Sequence, residues 1–414
     1  MSKSHTRGAC PRLSAPMETG DGLLARLVLA GAIGIDAFSS LCAAARTHGN
    51  GIMEVSARGS IQVRGLTPAS APLFAAAAQA LPIDICGDVP VLTSSLAGDP
   101  AALLDAQALA ASLRAAIAAS GLTLAPKISV IVDGGGCLPL DALTADVRLR
   151  AVSTNNGARL HVSLAGDAAS ATPLGLVAPE AAPDLVLALL GVIAARGPYS
   201  RASDVLRDDD IDAFARVAED RPTPSRRPAV RPAPETIGLH RLKDGRCAIG
   251  VALPFGQADA IDLIGLAAMA RANGAAWIAT APNRTLLLGP IDETTGFALA
   301  TAADHLGFIV DARDARRRVV ACPGAPACAS GLIAARALAA EIANVLLAAE
   351  TGLAVHVSGC AKGCAHPAPA PLTIVGTAQG CGLVTNGLAR STPERVVDTS
   401  DLVEIVAALE TADA

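Results

Sequence analysis

The sequence predicts an α+β fold assembled by internal duplication, on three observations. Two segments offset by about 224 residues each read as a helix, a glycine-containing stop and strand-like sequence. Each is followed by a longer α/β segment in which a strand runs into a special turn: glycines in the first copy, cysteines in the second. Between the copies, residues 221–234 read RPTPSRRPAVRPAP, without apolar periodicity, and are expected to form an extended linker. The 414 residues are enough for several domains and a substantial core. With 51% hydrophobic but only 2% aromatic residues, that core must be built from Ala, Val, Leu and Ile.

In chain order, residues 35–47 are expected to be helical and stopped by Gly49-Asn50-Gly51, with a strand over 52–64. If 52–64 is one strand, alternation places Glu54, Ser56, Arg58, Ser60, Gln62 and Arg64 on a single face. Two arginines and a glutamine in line suit a ligand with several carboxylates, because guanidinium pairs with carboxylate in bidentate fashion. The competing reading is a solvated face of an antiparallel sheet. The matching stretch of the second copy keeps Arg284 but has Pro282, Leu286 and Leu288, so the full polar row occurs once. A strand over 127–133 ends in Gly134-Gly135-Gly136, which would let backbone approach a ligand closely. The apolar run 185–195 is too short to span a bilayer and reads as a buried helix. In the second copy the helix is expected over 258–272, the stop at Asn273-Gly274 and strands through 277–288.

The strand 318–321 runs into Cys322 and Cys328, and the strand 354–357 into Cys360 and Cys364, giving C-x5-C and C-x3-C. The Ala/Leu-rich stretch 331–350 between them has high helix propensity. Two parallel strands joined by a crossover helix end on the same edge of a sheet, so four thiols distant in sequence would converge. Structural zinc sites favour tighter pairs than C-x5-C, which points instead to a cysteine-bound cluster. The other cysteines, Cys42, Cys86, Cys137, Cys247 and Cys381, are scattered as small core residues usually are. A net charge of −5 and a pI near 5.8 offer no general attraction to nucleic acid or an anionic membrane. Met1 to His5 leads into Gly and Pro rather than an apolar run, so a cytoplasmic protein with reduced thiols is expected. Neither Gly20-Asp21-Gly22 nor the 134–136 turn is a dinucleotide fingerprint, so electrons are expected from a separate donor.

These features together resemble the sulfite/nitrite reductase superfamily and, within it, most closely the precorrin-3B synthases of aerobic cobalamin biosynthesis. The resemblance is carried by the two cysteine pairs, the SARGSIQVRG stretch and the duplicated layout. Further matching segments are Gly8-Ala9-Cys10-Pro11, Thr19-Gly20-Asp21-Gly22-Leu23-Leu24, Ser95-Leu96-Ala97-Gly98-Asp99-Pro100, Pro126-Lys127 and Ser358 to Pro367. The resemblance implies two ferredoxin-like halves and two larger α/β domains around a central pocket. The boundaries would be 15–80, 85–220, the linker 221–234, 235–300 and 305–412. It implies a four-iron, four-sulfur cluster on Cys322, Cys328, Cys360 and Cys364, with Cys364 nearest the reaction centre. It implies that Arg58, Gln62 and Arg64, with Lys127, hold the carboxylates of a tetrapyrrole. In a reductase that tetrapyrrole is sirohaem; in a synthase it is the substrate precorrin-3A, with dioxygen as co-substrate and an NADH-linked reductase or ferredoxin as donor.

Departures from the reductase pattern discriminate between these two. The Arg-Asn pair of the reductases falls here at about Val89 and Pro90, and the second lysine of their Lys-x-Lys is Ser129. Losing cations that bind a small oxyanion disfavours sulfite or nitrite reduction and favours oxygen-dependent hydroxylation of precorrin-3A. The sirohaem-dependent reductase and a non-catalytic electron carrier stay as the other readings. The synthase family implies a mononuclear non-haem iron, for which His366, two residues beyond Cys364, is the candidate ligand or proton donor. His161 and His48 are weaker candidates, and the chemistry of Cys10 is not legible.

Overall fold

The computed structural model describes residues 11–209, 211–217, 223–346 and 352–413. Cys10 and the Gly8–Pro11 motif's first three residues lie outside them, as do residues 221–222 of the linker and 347–350 of the expected crossover helix.

Among the described residues four five-stranded sheets organise the chain, with strands numbered along it. The first holds β1 (Met17–Thr19), β2 (Gly22–Leu27), β5 (Ile61–Leu66), β4 (Ile52–Val55) and β13 (Gln257–Asp259), in that spatial order. Its counterpart holds β11 (Gly238–Arg241), β12 (Cys247–Ala252), β15 (Thr285–Ile291), β14 (Trp277–Ala281) and β3 (Ile33–Gly34). The two are the same sheet twice, each closed by an edge strand from the other copy: β13 pairs with β4, and β3 with β14. One edge of each antiparallel sheet is thereby paired with a strand from the other copy. The helices Ile35–His48 and Ala260–Ala272 back these sheets and contribute to one shared core.

The helix Ile35–His48 illustrates the local logic. Phe38, Leu41, Cys42 and Ala45 recur at helical spacing and are buried, while Asp36 in the first turn and Arg46 in the last complement the helix dipole. It stops at Gly49, where a Cβ would collide with the Arg64 carbonyl. Phe38 and Phe74 are fully buried in a core that has few aromatics, so truncating Phe38 to alanine would cost about 3–5 kcal/mol.

The other two sheets also match. One runs β6 (Val91–Thr93), β7 (Val130–Asp133), β8 (Ala145–Thr154), β9 (Gly157–Gly166), β10 (Thr172–Val177). The other runs β16 (Val319–Ala321), β17 (Val355–Ser358), β18 (Ala370–Thr377), β19 (Gly380–Gly387), β20 (Arg395–Val397). In each the first three strands are parallel and the last two antiparallel. Parallel neighbours need crossovers, supplied by the helices Ala106–Ala119 and Ala335–Ala343. The apolar run 185–195 lies in the buried helix Ala182–Ala195. Among the described residues no helix is long and apolar enough to cross a membrane.

Two expectations about connecting segments are corrected. The stretch 52–64 is a hairpin, not one strand: Ser60 O accepts from Ser56 N–H, Ser56 O from Gly59 N–H, and Gly59 takes φ of 79° in the turn. Serines whose hydroxyls bond each other and local amides compete with the ladder, which is why the run breaks there. The linker is not a free tether either. Arg231 pairs with Asp133 and Asp141, Arg227 donates to the Ala169 and Ala171 carbonyls, and Arg150 donates to Ala229 O, strapping it to the first α/β sheet.

Candidate functional site

β16 and β17 lie parallel with Ala321 opposite Val357, so the two cysteine loops leave the same edge side by side. Their contact needs glycine. A Cβ on Gly359 would meet Gly324 Cα at 2.9 Å and Cys322 Sγ at 3.4 Å, and one on Gly331 would meet Ala325 N at 2.5 Å. Leu332 N–H to Gly359 O (2.7 Å) stitches the two loops, and Ala325 N–H to Ile333 O (2.8 Å) closes the first upon itself. The Gly359 N–H donates to Cys322 Sγ at 3.1 Å. Cys322 is buried, Cys328 and Cys360 half-buried and Cys364 exposed, all as free thiols. Burial, together with Cys322, Cys360 and Cys328 alongside, pushes the Cys364 thiol up, which places the four in mutual electrostatic range. Among the described residues no three His, Cys, Asp or Glu side chains are close enough to share one metal ion. A buried thiol that receives an amide N–H, with three further cysteines on the two loops leaving one sheet edge, fits thiolate ligation of an iron–sulfur cluster.

The His366 ring stands 5.5 Å from His356, edge to face. His356 on β17 is buried, and neither ring nitrogen has a hydrogen-bond partner. Burial and the neighbouring His366 bring its pKa down to about 4, so it packs as a neutral ring under the C-x3-C loop, beside Gly363.

The polar row is rebuilt by the hairpin. β4 and β5 pair Glu54 with Gln62, and β2 and β5 pair Arg26 with Gln62, so Arg26, Gln62, Glu54 and Arg64 share the face away from the helices. Arg58 is not in that row. It sits in the exposed turn and donates to Thr144 O (2.8 Å) and Thr144 Oγ1 (3.3 Å) ahead of β8. Arg64 is 2% exposed. It forks onto Asp21 (2.8 and 2.9 Å), pairs with Glu54 (3.3 Å) and donates to Ala327 O in the C-x5-C loop (2.6 Å). Burial opposes ionisation of Asp21, but the bonds from Arg64 and Thr19 outweigh it and hold its carboxyl below the usual range. The Gly20-Asp21-Gly22 turn thus acquires a structural reason: Gly20 packs on the same cysteine loop, where a Cβ would strike Pro326 O and Cys328 C.

Lys127 is exposed in the turn before β7, rather than on the strand. The glycines 134–136 do not open toward a ligand. Cβ atoms there would meet Leu104 O, Leu103 and Asp99 of the same domain. His161 lies buried on β9, its pKa lowered by burial, Arg150 and Arg227, and His48 ends a helix. Cys42, Cys86, Cys247 and Cys381 are buried, whereas Cys137 is exposed.

Residues that sequence reasoning passed over complete the picture. Arg336, on the crossover helix of the cysteine domain, reaches Glu54 (2.8 Å) and Gln257. A single arginine in an otherwise Ala/Leu-rich helix was the available signal.

The sequence profile of the nitrite/sulfite reductase ferredoxin-like half domain matches residues 15–81. The NirA protein of Mycobacterium tuberculosis superposes with a TM-score of 0.74 over 93% of this chain and 79% of that one, at 20% identity, which establishes a common fold. Sulfite reductase (ferredoxin) 2 of Mycolicibacterium paratuberculosis is 27% identical over 183 residues, 40% of this chain and 33% of that protein. A precorrin-3B synthase from Sinorhizobium sp is 37% identical over 414 residues, spanning 98% of this chain and 88% of the relative. The chain belongs to the precorrin-3B synthase family. In this member of the precorrin-3B synthase family, Val89 and Ser129 are both buried. Val89 is 8% exposed and Ser129 is 5% exposed, its backbone N–H held by Asp146 at 3.1 Å.

Proposed function

We propose that this enzyme converts precorrin-3A to precorrin-3B, hydroxylating the meso carbon destined for extrusion while a ring acetate closes a lactone. One oxygen atom of dioxygen enters the product and the other leaves as water, with two protons and two electrons from an external donor, a ferredoxin or an NADH-linked reductase. The observation that carries this reading is the 37% identity across 98% of the chain to a precorrin-3B synthase. It is supported by the closed state of Val89 and Ser129, which leaves no cations at the two positions where a reductase would bind sulfite or nitrite.

In this proposal Cys322, Cys328, Cys360 and Cys364 hold a four-iron, four-sulfur cluster, which when bound supplies one-electron transfer. Gln62 and Arg26 present polar groups from one sheet face, Arg58 from the hairpin turn and Lys127 from the turn before β7, to carboxylates of the macrocycle. Arg64 ties that face to the C-x5-C loop through Ala327 O, so substrate and cluster are held in one frame. His366, half-buried and two residues beyond Cys364, would hand a proton to the substrate. A cytoplasmic location goes with reduced thiols.

Anaerobic incubation with precorrin-3A, followed by labelled dioxygen, tests the proposal. One labelled oxygen atom per product molecule is expected. An unlabelled product, or tight co-purification of sirohaem with sulfite-reducing activity, would reverse it in favour of a reductase.

A further inference from the structure

Glu54 is overmatched. Arg64 and Arg336 both pair with it, at 3.3 and 2.8 Å, and Arg284 lies within charge–charge range of Glu54 and Arg336. Arg64 has a second carboxylate in Asp21. Three guanidiniums therefore face two carboxylates in a largely buried setting, leaving one positive charge over. Arg284 is half-buried in the second hairpin turn, against Gly256, where a Cβ would come within 2.6 Å of its Cδ. Its guanidinium has no hydrogen-bond partner among the described residues, and burial and Arg336 depress its pKa. The Nε of Arg336 is buried without a partner as well. A guanidinium removed from water without an acceptor is costly, so the arrangement calls for one more anion.

The cluster thiolates are not that anion. Cys328 acts on Arg64 but on neither Arg284 nor, by any contact, Arg336. The three arginines come from the first half, the second half and the cysteine domain, so the excess positive charge lies where these three parts of the chain meet.

We infer that Arg284 and Arg336 form a carboxylate anchor for one acetate or propionate arm of the tetrapyrrole, with Glu54 holding both arginines in place until the arm arrives. This rests on the proposed function and deepens it by naming a contact point in the second half and the cysteine domain. A carboxylate there would accept from Arg284 and from the Nε of Arg336 without displacing Arg64 from Asp21. Docking of the substrate would then be sensed by all three parts of the chain at once.

The test uses the cluster-loaded full-length protein and anaerobic precorrin-3A, with affinity read from the change in the substrate's absorbance. Arg284→Gln and Arg336→Gln should each weaken binding by about tenfold or more, with cluster absorbance retained. Arg336→Gln also removes a bridge to Glu54; Arg284→Gln removes no side-chain hydrogen bond among the described residues and so guards against a folding artefact. Among mono-amidated precorrin-3A derivatives, one should bind the natural protein as weakly as the acid binds Arg284→Gln, and lose nothing further with that variant. Unchanged affinity in both variants, or a shifted cluster reduction potential with unchanged affinity, would overturn the anchor alone. If the unsubstituted protein fails to bind precorrin-3A, the anchor and the proposed function fall together.

Discussion

The β6–β10 and β16–β20 sheets share one strand order and one set of directions, yet their parallel strands end in opposite chemistry. In the first, the loop after β6 sends Asp99 to accept the backbone N–H of Cys137, in the loop after β7, at 2.7 Å. In the second, the loop after β16 sends Cys322 to accept the N–H of Gly359, in the loop after β17, at 3.1 Å. The cross-loop contact is the same, with a carboxylate in one copy and a thiol in the other. Around it the first copy is sealed: Asp133 accepts from Gly135 and Leu140 N–H and pairs with Arg231 of the strap, and a Cβ on Gly136 would strike Asp99. The second copy carries Cys322, Cys328, Cys360 and Cys364 on the two loops instead. One edge became architecture and the other a site, and the difference lies in a handful of side chains on an unchanged scaffold.

The largest effect should separate the two edges outright. Cys328→Ser or Cys360→Ser should abolish iron and acid-labile sulfide content, and with it turnover, whereas Cys137→Ser in the first copy should leave both unaltered. Iron and sulfide assay of the purified variants checks this, and equal loss from Cys137→Ser would break the comparison.

Next comes the strap. Arg231→Ala leaves Asp133 and Asp141 buried with a cation removed, and should cost about 3 kcal/mol in denaturant unfolding. Burial opposes the charged form of Asp141, but the bonds from Arg231 outweigh it and lower its pKa. The pair's stabilisation is therefore present above the unfolded carboxylate value near 3.9 and is lost as pH falls through the lowered folded value. In Arg231→Ala that stabilisation is already missing at neutral pH, so stability should fall less between neutral pH and the acid range than in the natural protein, which an acid-unfolding series would display.

The cross-loop contact itself is smaller. Asp99→Ala should cost about 1–3 kcal/mol by leaving the Cys137 and Ala101 amides without their acceptor, while Asp99→Asn, which keeps one, should cost less. Stability in urea with undiminished iron content is the expected pattern. A drop in iron would mean the two edges are coupled.

The smallest expected effect is at the hairpin turn. Arg58→Ala should weaken precorrin-3A binding about fivefold to tenfold without lowering cluster absorbance, since Arg58 is exposed in a turn and bonds to Thr144 ahead of β8. An equilibrium titration with unchanged affinity would remove that residue from the site.

Much of the fold was legible because it is written locally. The helix at 35–48 follows from apolar spacing and a glycine stop, and the parallel pair β16–β17 follows from two short apolar strands around an Ala-rich helix. The cysteine loops were legible for the same reason, since topology brings parallel strand ends to one edge. What failed was the reading of 52–64 as a single strand. Alternation cannot distinguish one long strand from two short ones when the break is made by side-chain hydrogen bonds and one positive φ. That error placed Arg58 in a row that it does not join and missed Arg26, which enters the face from the neighbouring strand.

The sequence by itself determined the duplication, the placing of the two cysteine pairs on loops that leave one sheet edge, and the family resemblance, because these depend on spacing and composition along the chain. Tertiary structure alone decided which charges meet. The reciprocal exchange of β3 and β13, the fork of Arg64 onto Asp21, and the gathering of Arg284 and Arg336 about Glu54 join residues from different parts of the chain. An ion pair has no sequence periodicity. Its partners are fixed only when packed sheets and helices bring distant side chains within a few ångströms of each other.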